Sequence, residues 1–261
     1  MSEIFNPQNK ILCHLHKIEE YFKGKNPSPI TIEIDPSNAC NHSCPFCISG
    51  HLHLKQYKET ELFNRQMLDP KIFMNLSKNL IEMNIESINW TGGGEPTLHP
   101  NLKENIEFIK DNSKIEMGMF SNGSSLQRFD LFRTICESLN WIRISIDSGD
   151  EDEYNKLRKT NKNNNFKVVI SNIKKLIETK KKLKSEITIG VGFVITEDNF
   201  EEIKLFAELF KKIDVDYCQF KPEIIQIERD GDVDRKKEQH SREFWVKKIS
   251  TKLEEAKKIL G

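Results

Sequence analysis

The sequence predicts an α/β fold, a partial (β/α)6 barrel of the TIM-like type with one N-terminal and one C-terminal helix. Six strand-like runs alternate with helix-like segments, which is typical of a parallel sheet with right-handed crossovers. Polar and apolar residues alternate within several runs, so the two faces of the sheet meet different surroundings. The length of 261 residues fits one large domain of this kind or two small ones.

The predicted strands are short and rich in β-branched and aromatic residues. They cover residues 30–35, 86–91, 114–121, 141–147, 186–195 and 217–225. Alternation places charged residues on the face away from the helices: Glu33, Asp35, Arg143, Asp147, Lys221 and Glu223. A filled barrel core would not tolerate these charges, so we expect a polar ligand cavity inside the sheet. An antiparallel sheet with one face in solvent fits poorly with helices between every pair of strands.

The segments between the strands show the helical period. One begins at Asp69 and Pro70, an N-cap residue followed by proline at the first helical position. Before the first strand, residues 8–23 carry an apolar helical face that we expect to dock against the main body: Ile11, Leu15, Ile18 and Phe22. We divide the chain into an N-terminal helical segment (1–29), a core (30–227), and a charged linker with the C-terminal helix (228–261).

Composition narrows the class of protein. The 40 Lys and Arg residues are balanced by 40 Asp and Glu residues, so the chain lacks the excess of positive charge that is typical of nucleic-acid binding. We interpret the lysine-rich run 180–184 as a solvated helix end. No apolar run reaches the roughly 20 residues of a membrane span, and the N-terminus lacks a signal peptide, so we expect a cytoplasmic protein. Six cysteines then favour metal binding or free thiols, with Cys13, Cys136 and Cys218 as small buried hydrophobes.

Three cysteines lie close together just after the first predicted strand. Cys40, Cys44 and Cys47 have C-x3-C-x2-C spacing, which suits a metal or an iron–sulfur cluster. A four-iron cubane would leave one iron without a protein ligand, and an open position is typical of a catalytic site. The alternative to a cluster is a Cys3His zinc site, in which His51 or His53 would be the fourth ligand beside the same three cysteines.

A glycine-rich turn follows the second predicted strand. Its sequence is Thr91-Gly92-Gly93-Gly94-Glu95-Pro96, without the Gly-Lys-Ser/Thr ending of a phosphate loop. Consecutive glycines let a backbone approach a ligand closely. Backbone carbonyls and the Glu95 carboxylate suit an ammonium group better than an anion.

The two motifs together resemble the radical S-adenosylmethionine (SAM) superfamily over roughly residues 30 to 225, with a core like that of MoaA and SPASM enzymes. Phe46 before the last cysteine and the run Gly93 to Pro96 are part of this resemblance. It implies that Cys40, Cys44 and Cys47 hold three irons of a [4Fe–4S] cluster and that SAM chelates the fourth. It also implies reductive cleavage of SAM to a 5′-deoxyadenosyl radical that abstracts hydrogen from a substrate, with an electron donor such as flavodoxin or ferredoxin.

The resemblance extends to further positions that contact SAM. Ser121 and Asn122 end the third strand, and Ser145 and Asp147 lie on the fourth. Arg158 resembles the arginine that pairs with the methionine carboxylate of SAM. The alternative interpretation is that Arg158 is an exposed arginine on a helix. Gly190 and Gly192 would leave room for adenine and ribose. The predicted cofactor-binding residues are therefore Phe46, Gly92, Gly93, Gly94, Glu95, Ser121, Asn122, Ser145, Asp147, Arg158, Gly192 and Val194.

The charged strand face favours a polar small-molecule substrate, such as a sugar, nucleotide or amino-acid derivative. Two alternatives remain, radical modification of a peptide or protein and a non-catalytic zinc module. Peptide modification is less favoured because only 29 residues precede the first strand, too few for a winged-helix module that binds a precursor. The chain ends at Gly261 without a second cysteine cluster, so we expect a minimal enzyme or a shortened form that lacks auxiliary clusters.

Overall fold

The computed structural model describes residues 7–49, 66–160, 165–223 and 248–261. His51, His53 and most of the charged linker lie outside these residues. Six strands form one parallel sheet in the order β1 to β6. They are β1 (Thr31–Ile34), β2 (Ser87–Trp90), β3 (Glu116–Ser121), β4 (Trp141–Ser145), β5 (Thr188–Ile195) and β6 (Tyr217–Pro222). Each lies within its predicted run, and β1 and β6 form the two edges, so the barrel is partial and unclosed.

Eight α-helices occur in the described residues. They are α1 (Leu15–Phe22), α2 (Pro70–Glu82), α3 (Leu102–Asn112), α4 (Leu131–Ser138), α5 (Glu151–Arg158), α6 (Asn165–Leu183), α7 (Ile203–Ile213) and α8 (Ser250–Leu260). The start of α2 follows the predicted cap: Asp69 accepts hydrogen bonds from the backbone N–H groups of Lys71 (2.9 Å) and Ile72 (3.2 Å). Within the described residues, no helix is long and apolar enough to cross a membrane.

The apolar core lies between the sheet and the helices. Ile142, Ile144 and Ile146 are fully buried, whereas Arg143 and Ser145 on the opposite face are only half-buried. Phe73 of α2 packs edge-on against Trp90 of β2 at 5.8 Å between ring centroids. The helices therefore cover one face of the sheet, as predicted, and leave the polar concave face open to ligands.

The N-terminal segment departs from the prediction. Pro7–His14 forms a 3₁₀ helix before α1, and Leu15 and Phe22 of the predicted docking face are 61% and 81% exposed. Polar contacts hold the segment instead. The His14 and His16 rings each hydrogen-bond one carboxylate oxygen of Glu86, at 2.8 and 2.9 Å. Helical periodicity identified the apolar face but not whether a partner surface lies opposite it.

The isolated cysteines differ from one another in burial. Cys136 is buried as expected, at 3% exposure, whereas Cys13 is exposed because it lies on the same outward-facing N-terminal segment. Cys218 on β6 is half-buried. The proposed division at residues 29 and 227 stays a prediction, since 224–247 are outside the described residues.

Candidate active site

The cysteine loop leaves the carboxyl end of β1 and is held by backbone hydrogen bonds. The Cys47 N–H donates to the Cys44 carbonyl at 3.2 Å, and the Ser43 N–H donates to the Arg158 carbonyl at 3.1 Å. Cys40, Cys44 and Cys47 are all half-buried. The last residue of α5 thus anchors the middle of the loop.

The cysteine loop supplies three of the ligands that an iron–sulfur cluster needs. Cys40, Cys44 and Cys47 bring three thiols into one short loop, and in a four-iron cluster each thiolate binds a different iron. A zinc ion would need a fourth ligand, and the two candidates for it, His51 and His53, lie outside the described residues. The three cysteines therefore fit the cluster as its donor set, and the zinc site stays an alternative prediction.

Burial changes the protonation of the free thiols. It raises the pKa of Cys40 to about 11 and also raises the pKa of Cys44, although Arg158 opposes the effect at Cys44. Both groups are therefore thiols at neutral pH when no cation is bound. Iron binding would release these protons, as is usual for thiolate sites.

Arg158 is buried, at 6% exposure, so the alternative of an exposed helix arginine is wrong. Its guanidinium forms an ion pair with Asp147 and donates to the Cys44 sulfur at 3.5 Å. Burial acts to lower the pKa of Arg158, but Asp147 and Cys44 outweigh it and raise that pKa. The guanidinium also lies 5.9 Å from the ring centre of Phe46. Arg158 thus joins three predicted site residues, and its contact with the SAM carboxylate stays a prediction.

Asp147 occupies an unusual backbone position just after β4. Its φ is +64°, a left-handed conformation that non-glycine residues rarely adopt. The side chain is 1% exposed and accepts a hydrogen bond from the Val194 N–H at 2.7 Å. Burial raises the pKa of this carboxyl, and Arg158 is the main opposing influence. The structure therefore places Asp147 beneath the site rather than on the open polar face.

The glycine turn after β2 is bonded directly to the chain that leads to Cys40. Gly94 donates its N–H to the Ser37 carbonyl at 3.1 Å, and Glu95 donates its N–H to the Ala39 carbonyl at 2.8 Å. A Cβ atom at Gly94 would lie 2.2 Å from the Ala39 oxygen, so only glycine fits this approach. Because β1 and β2 are neighbouring parallel strands, both motifs meet at one end of the sheet.

The Glu95 carboxylate is 2% exposed and accepts four hydrogen bonds. One oxygen receives the Thr97 N–H (3.1 Å), the Thr97 hydroxyl (2.6 Å) and the Ser121 hydroxyl (2.7 Å). The other receives the Asn122 N–H at 2.7 Å. Burial raises the pKa of Glu95, and these donors oppose the rise. Glu95 therefore connects the glycine turn to the end of β3. The carboxylate oxygen that is bonded to Asn122 can accept one further hydrogen bond.

Sequence reasoning missed a polar link between the cysteine loop and β3. The side-chain amide of Asn122 donates to the side-chain oxygen (Oδ1) of Asn41 at 2.8 Å. The side-chain amide of Asn41 in turn donates to the Ser124 hydroxyl at 2.7 Å. The position of Asn41 inside the cysteine motif was the available signal. This link places Asn122 against the cluster loop, where SAM is expected.

His42 was also missed as part of the site. It is 5% exposed, and its Nε2 atom accepts from the Asn165 amide at 2.7 Å, while Nδ1 has no partner among the described residues. Burial, together with the nearby positive charge of Arg158, lowers the pKa of His42 to about 3. The ring is therefore neutral and acts as a structural support under the cysteine loop.

The strand glycines meet neighbours that the sequence did not reveal. A Cβ at Gly190 would lie 2.2 Å from the Tyr217 ring, so that space is filled by Tyr217 rather than left for adenine. Gly192 lies opposite Ser145 in the β4–β5 register, and the atoms nearest to a Cβ there would belong to the Arg143 side chain, at 3.5 Å. Arg143 therefore lies over Gly192, and the adenine site there stays a prediction.

Comparison with known proteins identifies the family. The model of the radical SAM superfamily matches residues 34–207, so the chain belongs to this superfamily. It is an enzyme superfamily that uses a [4Fe–4S] cluster and SAM. Which residues of this chain contact the two cofactors stays a prediction.

The chain is also similar to curated proteins and, in fold, to a solved structure. The chain is 28% identical over 190 residues to a protein named GTPase Obg from Brachyspira hyodysenteriae, covering 72% of this chain and 27% of that one. It is 26% identical over 186 residues to GTP 3′,8-cyclase from Chlorobaculum tepidum, covering 70% and 51%. The fold matches Streptococcus suis SuiB bound to SAM with a TM-score of 0.60 and 16% identity, covering 96% and 55%. The chain thus spans only about a quarter to a half of these proteins' lengths.

Proposed function

We propose that this chain uses SAM-dependent radical chemistry on a polar small molecule bound at the concave face of the sheet. When bound, the cluster and SAM supply the one-electron chemistry that removes a hydrogen atom from a substrate. The observation that carries the proposal is the polar, uncovered face itself. Glu33 is exposed, Arg143 is half-buried, and Gln219 hydrogen-bonds Arg143 within the same concavity.

The residues of the chain have separable roles in this proposal. Cys40, Cys44 and Cys47 hold the cluster, and the loop bonds to Arg158 fix where it lies. Gly94 and Glu95 bring backbone groups and one carboxylate to the amino group of SAM.

The substrate class is proposed from chemistry and from one relative. A concave face that carries both signs of charge suits a zwitterionic or phosphorylated metabolite better than an apolar one. The relative named GTP 3′,8-cyclase makes a nucleotide a reasonable first candidate. An electron donor such as flavodoxin or ferredoxin, and a reducing compartment such as the cytoplasm, are part of the same proposal because the cluster must be kept reduced.

Deuterium transfer tests the proposal. The anaerobically reconstituted and reduced protein is incubated with SAM and deuterated candidates: GTP, sugars, amino-acid derivatives and short peptides. We expect deuterium in the 5′-deoxyadenosine product from at least one small molecule, and none from the Cys44→Ala variant. Transfer from peptides alone would replace the proposed function by peptide modification. One zinc per chain without sulfide would remove the radical chemistry altogether.

A further inference from the structure

The concave face holds a positive charge that the site described above does not use. Arg143, in the middle of β4, stacks its guanidinium over the Phe120 ring at 4.3 Å from the ring centre. The same guanidinium donates to the Gln219 side-chain oxygen. Phe120 in turn packs against Trp141 at 4.8 Å between ring centroids. Neighbours on β3 and β6 thus hold the Arg143 side chain in one orientation.

Arg143 has no anionic partner among the described residues. The nearest carboxylate that influences it, Asp147, is 1% exposed and already paired with Arg158. Asp35, the residue just after β1, accepts a hydrogen bond from the Gly93 N–H at 3.1 Å, so its carboxylate is bonded to the glycine turn. Burial lowers the pKa of Arg143, and Tyr217 and Asp147 oppose the effect. A half-buried guanidinium that is held by Phe120 and Gln219, without a carboxylate partner among the described residues, is a candidate site for an anionic ligand.

The Arg143 guanidinium has donors left for such a ligand. The Tyr217 ring lies over Gly190 and the Trp141 ring lies over Gly118. The atoms nearest to a Cβ at Gly192 would be those of the Arg143 side chain, at 3.5 Å, so this side chain lies over Gly192. A guanidinium has five N–H donors, and the bond to Gln219 uses one of them. The remaining donors suffice for a two-point contact with a phosphate or carboxylate group.

The position of Arg143 places a bound anion beside the predicted SAM site. The Arg143 backbone precedes Ser145 by two residues, so it lies roughly 6.5 Å deeper in the sheet than the strand end. The glycine turn and Asn122 follow the ends of β2 and β3. The Arg143 side chain reaches Gly192, one of the predicted SAM-contacting residues. An anion bound at Arg143 would therefore lie next to SAM, as a substrate must.

We propose that Arg143 is the substrate's anchoring residue and binds a phosphate or carboxylate group of it, with Phe120 and Gln219 fixing the guanidinium. This inference rests on the proposed function, because it names the substrate class of the same site. It makes the substrate an anionic metabolite and not a neutral sugar. It also makes Arg143 specific for groups that accept two parallel hydrogen bonds.

Equilibrium binding tests the anchor without requiring turnover. The cluster-loaded protein with SAM present is titrated by calorimetry with pyrophosphate and, separately, with succinate. We expect saturable binding of one of the two probes, and the one that binds identifies a phosphate or a carboxylate ligand. In Arg143→Gln the Kd should rise at least tenfold, and in Arg143→Lys by a smaller factor because the charge remains. Binding of neither probe by the wild-type protein would overturn the proposal.

Two further variants keep the result interpretable. Arg133→Gln removes an exposed arginine of α4, paired with Glu137, and should leave the Kd unchanged. Gln219→Ala removes the partner of Arg143 and should weaken binding severalfold, even if Arg143→Gln fails to fold. The proposed role of Arg143 would be overturned by an unchanged Kd in a folded Arg143→Gln variant. It would also be overturned if the two single variants Gln219→Ala and Arg143→Lys both left the Kd unchanged. Probe binding that depends on Arg143, without deuterium transfer from any small molecule, would leave the anchor standing and refute the proposed function.

Discussion

Gly94 is the point where the two motifs touch, and replacing it by alanine tests that contact. The new Cβ would lie 2.2 Å from the Ala39 oxygen and 2.6 Å from the carbonyl carbons of Ala39 and Asn38. Ordinary contact begins near 3.4 Å, so the backbones must separate by about 1.2 Å. No side-chain rotation relieves this clash, because the opposing atoms belong to the backbone.

The cost follows from the bonds that such a shift breaks. The hydrogen bonds from Gly94 to Ser37 and from Glu95 to Ala39 would both be lost, at about 0.5–1.5 kcal/mol each. Overpacking adds about 1–3 kcal/mol. We therefore expect Gly94→Ala to lower the free energy of unfolding by about 2–6 kcal/mol. The cysteine loop should also lose its position.

Urea unfolding of the reduced protein and iron analysis after reconstitution measure both effects. The control is Gly24→Ala, where φ is +74° and no atom lies within 4 Å of the new Cβ. It should cost about 1–2 kcal/mol from backbone strain alone and retain about four irons per chain. If Gly94→Ala matches this control in both stability and iron content, the coupling between the turn and the cysteine loop is refuted.

Three other predictions follow from the same structure. Glu95→Gln should raise the Kd for SAM about tenfold, because an amide cannot accept all the hydrogen bonds of the carboxylate; an unchanged Kd by calorimetry would remove Glu95 from the site. Asp147→Asn leaves the buried Arg158 charge unpaired and should cost about 3–5 kcal/mol in urea unfolding, whereas a loss no larger than that of an exposed ion pair would contradict the buried network. Iodoacetamide at pH 8 should label Cys13 well before Cys136, since burial raises the pKa of Cys136 to about 11; equal labelling by peptide mass spectrometry would show that the N-terminal segment or the core is placed wrongly.

The sequence was most informative where a repeating pattern reports a local environment. Alternation in β4 identified Ile142, Ile144 and Ile146 as the covered face, and all three are buried. The topology followed from helices between parallel strands. Once the strands were in order, both motifs had to meet, because each follows the carboxyl end of one of two neighbouring strands.

The rest depended on register and loop geometry, which patterns do not encode. That Tyr217 covers Gly190 requires the β5–β6 register. The pairing of Asp147 with Arg158 depends on a left-handed residue after β4 that has no sequence signature of its own. The exposed face of α1 looks identical in sequence to a docked one, because periodicity shows amphipathicity but not the partner. These features required the three-dimensional structure.

The most direct test of the central claim is the reductive cleavage of SAM by the reconstituted protein. With iron and sulfide near four each per chain, the reduced wild-type protein should convert SAM into 5′-deoxyadenosine and methionine. Cys44→Ala should lose both the cluster absorbance and this product. Cleavage that persists in Cys44→Ala would contradict the assignment of the three-cysteine loop as the site of the cluster.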